Sequence, residues 1–158
     1  MKKIDYWKLA VSLFVCQLAG IVGSIFTSPA IPTWYAGLNS PSFNPPNWVF
    51  SPVWISLFVL MGIALYLVWE KGLKTRTAKN AVTVFGIQLA LNTLWSVLFF
   101  GLKSPLYAFI EILFLWGAIL MSIVFFYRIS KPAAYLLIPY LLWVSFATVL
   151  NAAYVLLN

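Results

Sequence analysis

Histidine is absent from the 158-residue chain, and its only acidic residues are Asp5, Glu70 and Glu111. The commonest general base and metal ligand is therefore missing, and a paired-carboxylate catalytic site has almost nothing to draw on. A single cysteine, Cys16, excludes an internal disulfide and any cysteine-cluster metal site. Charge is scarce as well: Asp, Glu, Lys and Arg make up 8% of the residues, against about 25% in ordinary soluble domains. So few charged side chains cannot cover the surface of a water-soluble globule of this length. What the chain has is apolar bulk, with 63% hydrophobic and 18% aromatic residues and a mean hydropathy of +0.96.

That bulk falls into five runs, at about residues 7–27, 51–69, 80–101, 105–127 and 133–157. At 1.5 Å per residue each is long enough to cross a hydrocarbon core about 30 Å thick. Solid runs of this kind do not fit a barrel, whose strands alternate over about ten residues. The pattern predicts an all-α integral membrane protein: one domain spanning residues 1–158, folded as a five-transmembrane-helix bundle. The formal charge of +7 then has a simple distribution. Lys2, Lys3 and Lys8 precede the first helix, Lys71, Lys74, Arg76 and Lys79 lie between the second and third, and Arg128 and Lys131 lie between the fourth and fifth. With five spans these places share one side, leaving Lys103 on the other, which predicts a cytoplasmic N-terminus and an outside C-terminus. The basic residues are short-loop topology signals, and no nucleic-acid partner is expected. The leading lysines also suit a signal peptide, but the first apolar run exceeds the usual 7–15 residues, so a retained helix is expected.

The connection from residue 28 to 50 is uncharged and stiffened by Pro29, Pro32, Pro41, Pro45 and Pro46, with Trp34, Tyr35, Phe43 and Trp48 among them. Two readings apply. The aromatics either form an interfacial belt or pack as a lid over the mouth of the bundle. Loops this long in compact domains are usually functional or disordered, and disordered ones are poor in aromatics, which favours the lid.

Small and polar positions at helical spacing mark the faces turned inward. Gln88, Asn92, Trp95 and Phe99 share one face of the third helix, and Tyr140, Trp143, Ala147, Asn151 and Tyr154 one face of the fifth. The second helix offers Trp54, Phe58, Met61 and Leu65, the first Gln17, Gly20 and Ser24, and the fourth Glu111, Ala118 and Ser122. Such a set suits a flat, largely apolar ligand held by stacking and a few hydrogen bonds; alternatively the rings fill the bundle and the amides bond neighbouring helices. On the opposite face of the third helix, Gly86 and Ala90 form a small-xxx-small pair that suits a homodimer contact or intramolecular packing. Glu111 is a candidate intramembrane proton site, although pairing with Lys103 or snorkelling toward the headgroups is the simpler expectation.

Several of these strings resemble the translocator protein family, the tryptophan-rich sensory proteins or TspO/MBR. The segment Trp34-Tyr35-Ala36-Gly37-Leu38-Asn39-Ser40-Pro41-Ser42-Phe43-Asn44-Pro45-Pro46 is similar to a W-Y-x-x-L-x-x-P-x-x-x-P-P element, followed by Pro52-Val53-Trp54. Gln88-Leu89-Ala90-Leu91-Asn92-Thr93-Leu94-Trp95, closing on Phe99-Phe100-Gly101, resembles a second signature, and Pro139-Tyr140-Leu141-Leu142-Trp143 with Phe146-Ala147 and Leu150-Asn151 a third. The resemblance implies a five-helix homodimer in the membrane that binds porphyrins such as protoporphyrin IX and haem, and also sterols, without an obligatory cofactor. By motif position it implies ligand contacts from Tyr35, Pro45, Trp54, Phe58, Asn92, Trp95, Phe99, Trp143, Phe146, Ala147, Leu150 and Asn151. For some bacterial members it also implies light-dependent oxidative breakdown of porphyrin at tryptophans matching Trp54 and Trp143.

One departure concerns sterols. Animal members carry a basic residue shortly after a tyrosine at the end of the fifth helix, whereas Tyr154 is followed here by Val155-Leu156-Leu157-Asn158, so sterol binding through that element is not expected. The leading expectation is a porphyrin receptor of the bacterial cytoplasmic membrane acting in tetrapyrrole sensing, transport or clearance. The alternatives are a porphyrin-degrading photo-oxidase and a proton-coupled small-molecule transporter in which Glu111 titrates.

Overall fold

The computed structural model describes residues 4–158; Lys2 and Lys3, two of the topology signals, lie outside the described residues. Five helices are long and apolar enough to cross a membrane: α1 (Tyr6–Ala30), α2 (Asn47–Glu70), α3 (Arg76–Gly101), α4 (Pro105–Tyr127) and α5 (Lys131–Leu157). No strand occurs among the described residues. An all-helical chain satisfies its backbone within each segment, as lipid demands.

Several helices start earlier than the apolar runs suggest, and their caps explain why. Thr75 accepts a hydrogen bond from the Ala78 amide at 3.1 Å, so the basic stretch from Arg76 is already helical. Pro132 sits in the first turn of α5, where its missing N–H is no loss. Asp5 caps α1 through the Lys8 amide at 3.2 Å. α1 runs on to Ala30, and the Thr33 hydroxyl donates to the Pro29 carbonyl at 2.9 Å beyond its end. The connection to α2 is accordingly shorter than expected, from residue 31 to 46.

Two helices are not uniform. α5 consists of a short piece, Lys131–Leu136, and a longer one, Ile138–Leu157, that meet at Leu137 beside Pro139. The last turn of α3, Val97–Gly101, is a wide π-turn, a feature frequent at functional sites. Lys103 follows it in the left-handed region, at φ 54°, and this reverses the chain into α4.

α1 packs against α2 and α3, α3 against α4, and α4 against α5, while the short piece of α5 touches α2. The ring therefore closes firmly at the end where the basic connections lie. The larger core cluster, around Cys16, Leu57, Met61, Phe85, Ile112, Leu115, Ile119, Phe126, Tyr140 and Val144, fills that part of the bundle. A smaller one, Tyr35, Phe99, Ala108, Leu150 and Tyr154, lies beneath the α1–α2 connection. Close approach of α1 and α2 depends on Gly62, where an added Cβ would stand 2.8 Å from the Leu13 Cα.

Candidate functional site

Between the lid end of the bundle and its packed half lies a cavity of about 360 Å³, within the 300–1,000 Å³ range of small-molecule sites. α1 contributes Gln17, Gly20, Gly23, Ser24 and Thr27 to its wall; α2 contributes Asn47, Phe50, Ser51, Trp54 and Phe58. α3 adds Asn92, Trp95, Phe99 and Phe100, α5 adds Trp143, Ala147, Leu150, Asn151 and Tyr154, and Tyr35 closes the top. Among the described residues, no Asp, Glu, Lys or Arg belongs to the lining.

The walls are aromatic and held in place. Trp54 stacks on Phe58 with ring centres 5.7 Å apart, and Trp95 stacks on Phe99 at 5.0 Å. The Trp95 indole donates to Asn151 Oδ1 at 3.0 Å, and Asn151 Nδ2 donates to the Pro105 carbonyl at 2.8 Å, so this amide is engaged at both ends. Asn92 differs. Its Nδ2 donates to the Tyr140 hydroxyl at 2.8 Å, which in turn donates to Gln88 Oε1 at 2.9 Å. No hydrogen bond among the described residues reaches Asn92 Oδ1, leaving an acceptor on the wall. Trp54 and Trp143 likewise keep their indole N–H groups free of partners among the described residues.

The α1–α2 connection behaves as a lid and, in part, as a belt. Tyr35 is buried, and its hydroxyl accepts from Tyr154 at 2.8 Å and donates to Asn44 Oδ1 at 3.2 Å. Burial, with the Tyr154 hydroxyl beside it, pushes the Tyr35 phenol above its ordinary pKa. Asn39 is tied to the last turn of α5: its amide N–H donates to Asn158 Oδ1 at 2.9 Å and its side chain to the Leu157 carbonyl at 3.1 Å. Trp34 meets Phe99 edge-on at 5.6 Å. Phe43, by contrast, is 47% exposed, and Trp48 in the first turn of α2 75%, as suits interfacial aromatics.

Of the twelve residues implied as ligand contacts, ten line the cavity: Tyr35, Trp54, Phe58, Asn92, Trp95, Phe99, Trp143, Ala147, Leu150 and Asn151. Pro45 and Phe146 do not. Pro45 is half-buried within the lid, and the Phe146 ring packs against Phe43 at 6.4 Å and Trp143 at 5.5 Å, behind the wall. Among the wall residues that the sequence reading missed are Gly23, Thr27 and Ser28 of α1, Asn47, Phe50 and Ser51 of α2, and Phe100 of α3. The π-turn brings Phe100 to the wall beside Phe99, and no periodicity signals a π-turn. Gln17, Gly20 and Ser24, read as the inward row of the first helix, are all on the wall.

Glu111 requires a correction. It is only 6% exposed, and among the described residues neither carboxyl oxygen has a hydrogen-bond partner and the one ion pair is Lys8–Asp5. It neither pairs with Lys103 nor snorkels. The reason is helical phase: Glu111 shares the inward face of α4 with Ala108, Ile112 and Leu115, all buried, whereas Lys103 is exposed in the turn before the helix. Gly86 and Ala90 are exposed on the outer face of α3, and a Cβ added at Gly86 would meet nothing.

Residues 12–157 match the TspO/MBR family. The chain belongs to that family. It is 46% identical to the tryptophan-rich protein TspO of Archaeoglobus fulgidus over 96% of this chain and 97% of that one. It is 43% identical to the human translocator protein over 85% of this chain and 80% of the relative. Protein CrtK of Rhodobacter capsulatus is 33% identical over 90% and 87%. Together with the five membrane-crossing helices, membership makes this TspO/MBR protein an integral membrane protein.

An unpartnered carboxyl buried among apolar side chains lowers stability, and an apolar residue of similar volume removes the cost. Glu111→Leu is expected to unfold several degrees higher than the parent in detergent thermal denaturation. A lower midpoint would mean that the carboxyl has a stabilising partner.

Proposed function

We propose that this protein is a membrane receptor for porphyrins, protoporphyrin IX and haem among them, and for related flat apolar ligands, acting in tetrapyrrole sensing, transport or clearance. The observation that carries this reading is the cavity wall, on which the rings of Trp54, Trp95, Trp143, Phe58 and Phe99 stand together and Asn92 Oδ1 accepts no hydrogen bond among the described residues. Rings of this kind hold a planar ligand by stacking, while a few polar atoms set its orientation. Relatives named translocator protein and tryptophan-rich sensory protein support a binding role of this type. Titrating protoporphyrin IX into the protein in lipid nanodiscs is expected to quench tryptophan fluorescence saturably. Trp143→Ala or Asn92→Ala is expected to weaken binding about tenfold, equivalent to about 1.4 kcal/mol. Saturable quenching indifferent to both substitutions would remove the ligand from this cavity.

A second reading is light-dependent porphyrin oxidation, favoured by the presence of both Trp54 and Trp143 on the wall. An indole against a photoexcited tetrapyrrole can give it an electron that passes on to dioxygen as superoxide. The indole cation radical then takes an electron back from the ring, and superoxide adds to the ring cation radical, so that dioxygen is the net oxidant and the indole is restored. Illumination in air is then expected to yield a defined product, and the double variant Trp54→Phe, Trp143→Phe to lose it. Unchanged product in the double variant would mark ordinary photosensitised damage.

The exposed Gly86–Ala90 face of α3 is proposed as the homodimer contact, because small residues let helix backbones approach closely in lipid. Gly86→Leu is expected to convert the dimer to monomer in light scattering without loss of helix content. A dimer that persists would put the contact elsewhere. Lys8, Lys71, Lys74, Arg76, Lys79, Arg128 and Lys131 at one end, against Lys103 at the other, support an orientation with the N-terminus in the cytoplasm, in a bacterial-type cytoplasmic membrane.

A further inference from the structure

The cavity's polar groups are unevenly distributed. Its deep wall is mainly aromatic, with Asn151 bonded at both ends and Asn92 Oδ1 left as an acceptor, whereas Ile21, Ser24, Ser28, Asn47, Ser51 and Ile55 both line it and are exposed on the outside of the bundle. These six form a mouth between the outer halves of α1 and α2. The side chains of Ser28, Asn47 and Ser51 make no hydrogen bond among the described residues and so remain available to a ligand edge. Among the described residues, no Lys or Arg lines either the mouth or the deep wall. A carboxylate carried past the mouth would therefore lose its hydration without meeting a cation, a desolvation that uncharged donors offset only in part.

The wall is as poor in metal ligands as in cations. Histidine is absent from the chain, and Cys16 and Met61 are buried off the wall. Tyr35 and Tyr154 are the remaining groups capable of binding iron as phenolates. Their hydroxyls are bonded to each other at 2.8 Å, and Tyr154 also to Ser40 at 3.1 Å. Burial disfavours the Tyr35 phenolate.

We infer that the cavity recognises a tetrapyrrole by stacking on its ring and by the uncharged Asn92 acceptor, without any charge pairing, with the acid groups left at the Ser28–Asn47–Ser51 mouth and the central metal without a protein ligand. This rests on the porphyrin reading above and narrows it to ligands whose charge lies along one edge. The experiment compares five probes in nanodiscs, with empty discs subtracted: protoporphyrin IX, its dimethyl ester, its zinc and iron(III) forms, and uroporphyrin, whose acid groups surround the whole ring. The ester and both metal forms are expected within about threefold of protoporphyrin IX, and uroporphyrin about a hundredfold weaker or worse. The iron(III) form is expected to keep the Soret band and electron spin resonance of a haem without a protein axial ligand. Ser51→Asp, which adds charge at the exposed mouth, is expected to lower affinity for the acid about tenfold relative to its ester.

Uroporphyrin binding as tightly as protoporphyrin IX would overturn the inference and leave the porphyrin reading standing. So would an ester more than about tenfold weaker than the acid, or an iron form that gains about tenfold together with an axial-ligand spectrum. Failure of protoporphyrin IX itself to bind would overturn both.

Discussion

Hydrogen bonds from the polar row of α3 to the facing row of α5 are the interaction on which the rest of the architecture depends. Lipid tails are as apolar as leucine, so helices in a bilayer gain little from the hydrophobic effect between them and associate through close packing and polar contacts. Here Gln88 and Asn92 meet Tyr140, and Trp95 meets Asn151, which reaches on to the start of α4. These bonds set the rotation of both helices. They also tether the Trp95 indole by its nitrogen and hold it on the cavity wall, where it stacks on Phe99.

That space is an exception in an otherwise closely packed interior. Protein cores reach crystal-like density, and voids much larger than a water are few and lower stability. The bundle tolerates this one because it is tied firmly on both sides. At one end α5 closes onto α2 and the larger core cluster fills the ring. At the other, the lid is bonded to the last turns of α5 through Tyr35, Asn39 and Ser40. A stiff, proline-rich connection loses less entropy when it is fixed in this way. The absence of charge from the cavity and the scarcity of charge in the chain share one cause: each charged side chain within the bilayer is costly unless it is paired.

The five helices, the interior rows and the aromatic lid segment could all be read from composition and periodicity, because helical spacing projects directly onto faces. Legibility failed where the outcome depended on something other than local spacing. Helix starts at Asn47 and Arg76 and the extension to Ala30 depend on caps and prolines that hydropathy does not register. Phe100 reaches the wall through a π-turn that widens the end of α3. Pro45 and Phe146 belong to motif strings yet do not line the cavity: Pro45 stays within the lid, and the Phe146 ring packs against Phe43 and Trp143. Glu111 is unpaired because helical phase buries it on the inward face of α4, while Lys103, the nearest lysine in sequence, is exposed in the turn before the helix.

The amino-acid sequence by itself determined that this chain lives in a membrane as a helical bundle, which residues face inward, and to which family it belongs. Each of these follows from counts and spacings along one dimension. Only the tertiary structure decided that the inward rings enclose a cavity instead of interlocking, that Asn151 is spent on holding Trp95 while Asn92 keeps an acceptor, and that the mouth opens between α1 and α2. Those outcomes depend on the distances and rotations between helices, which arise from contacts across dozens of residues and leave no periodic trace in the chain.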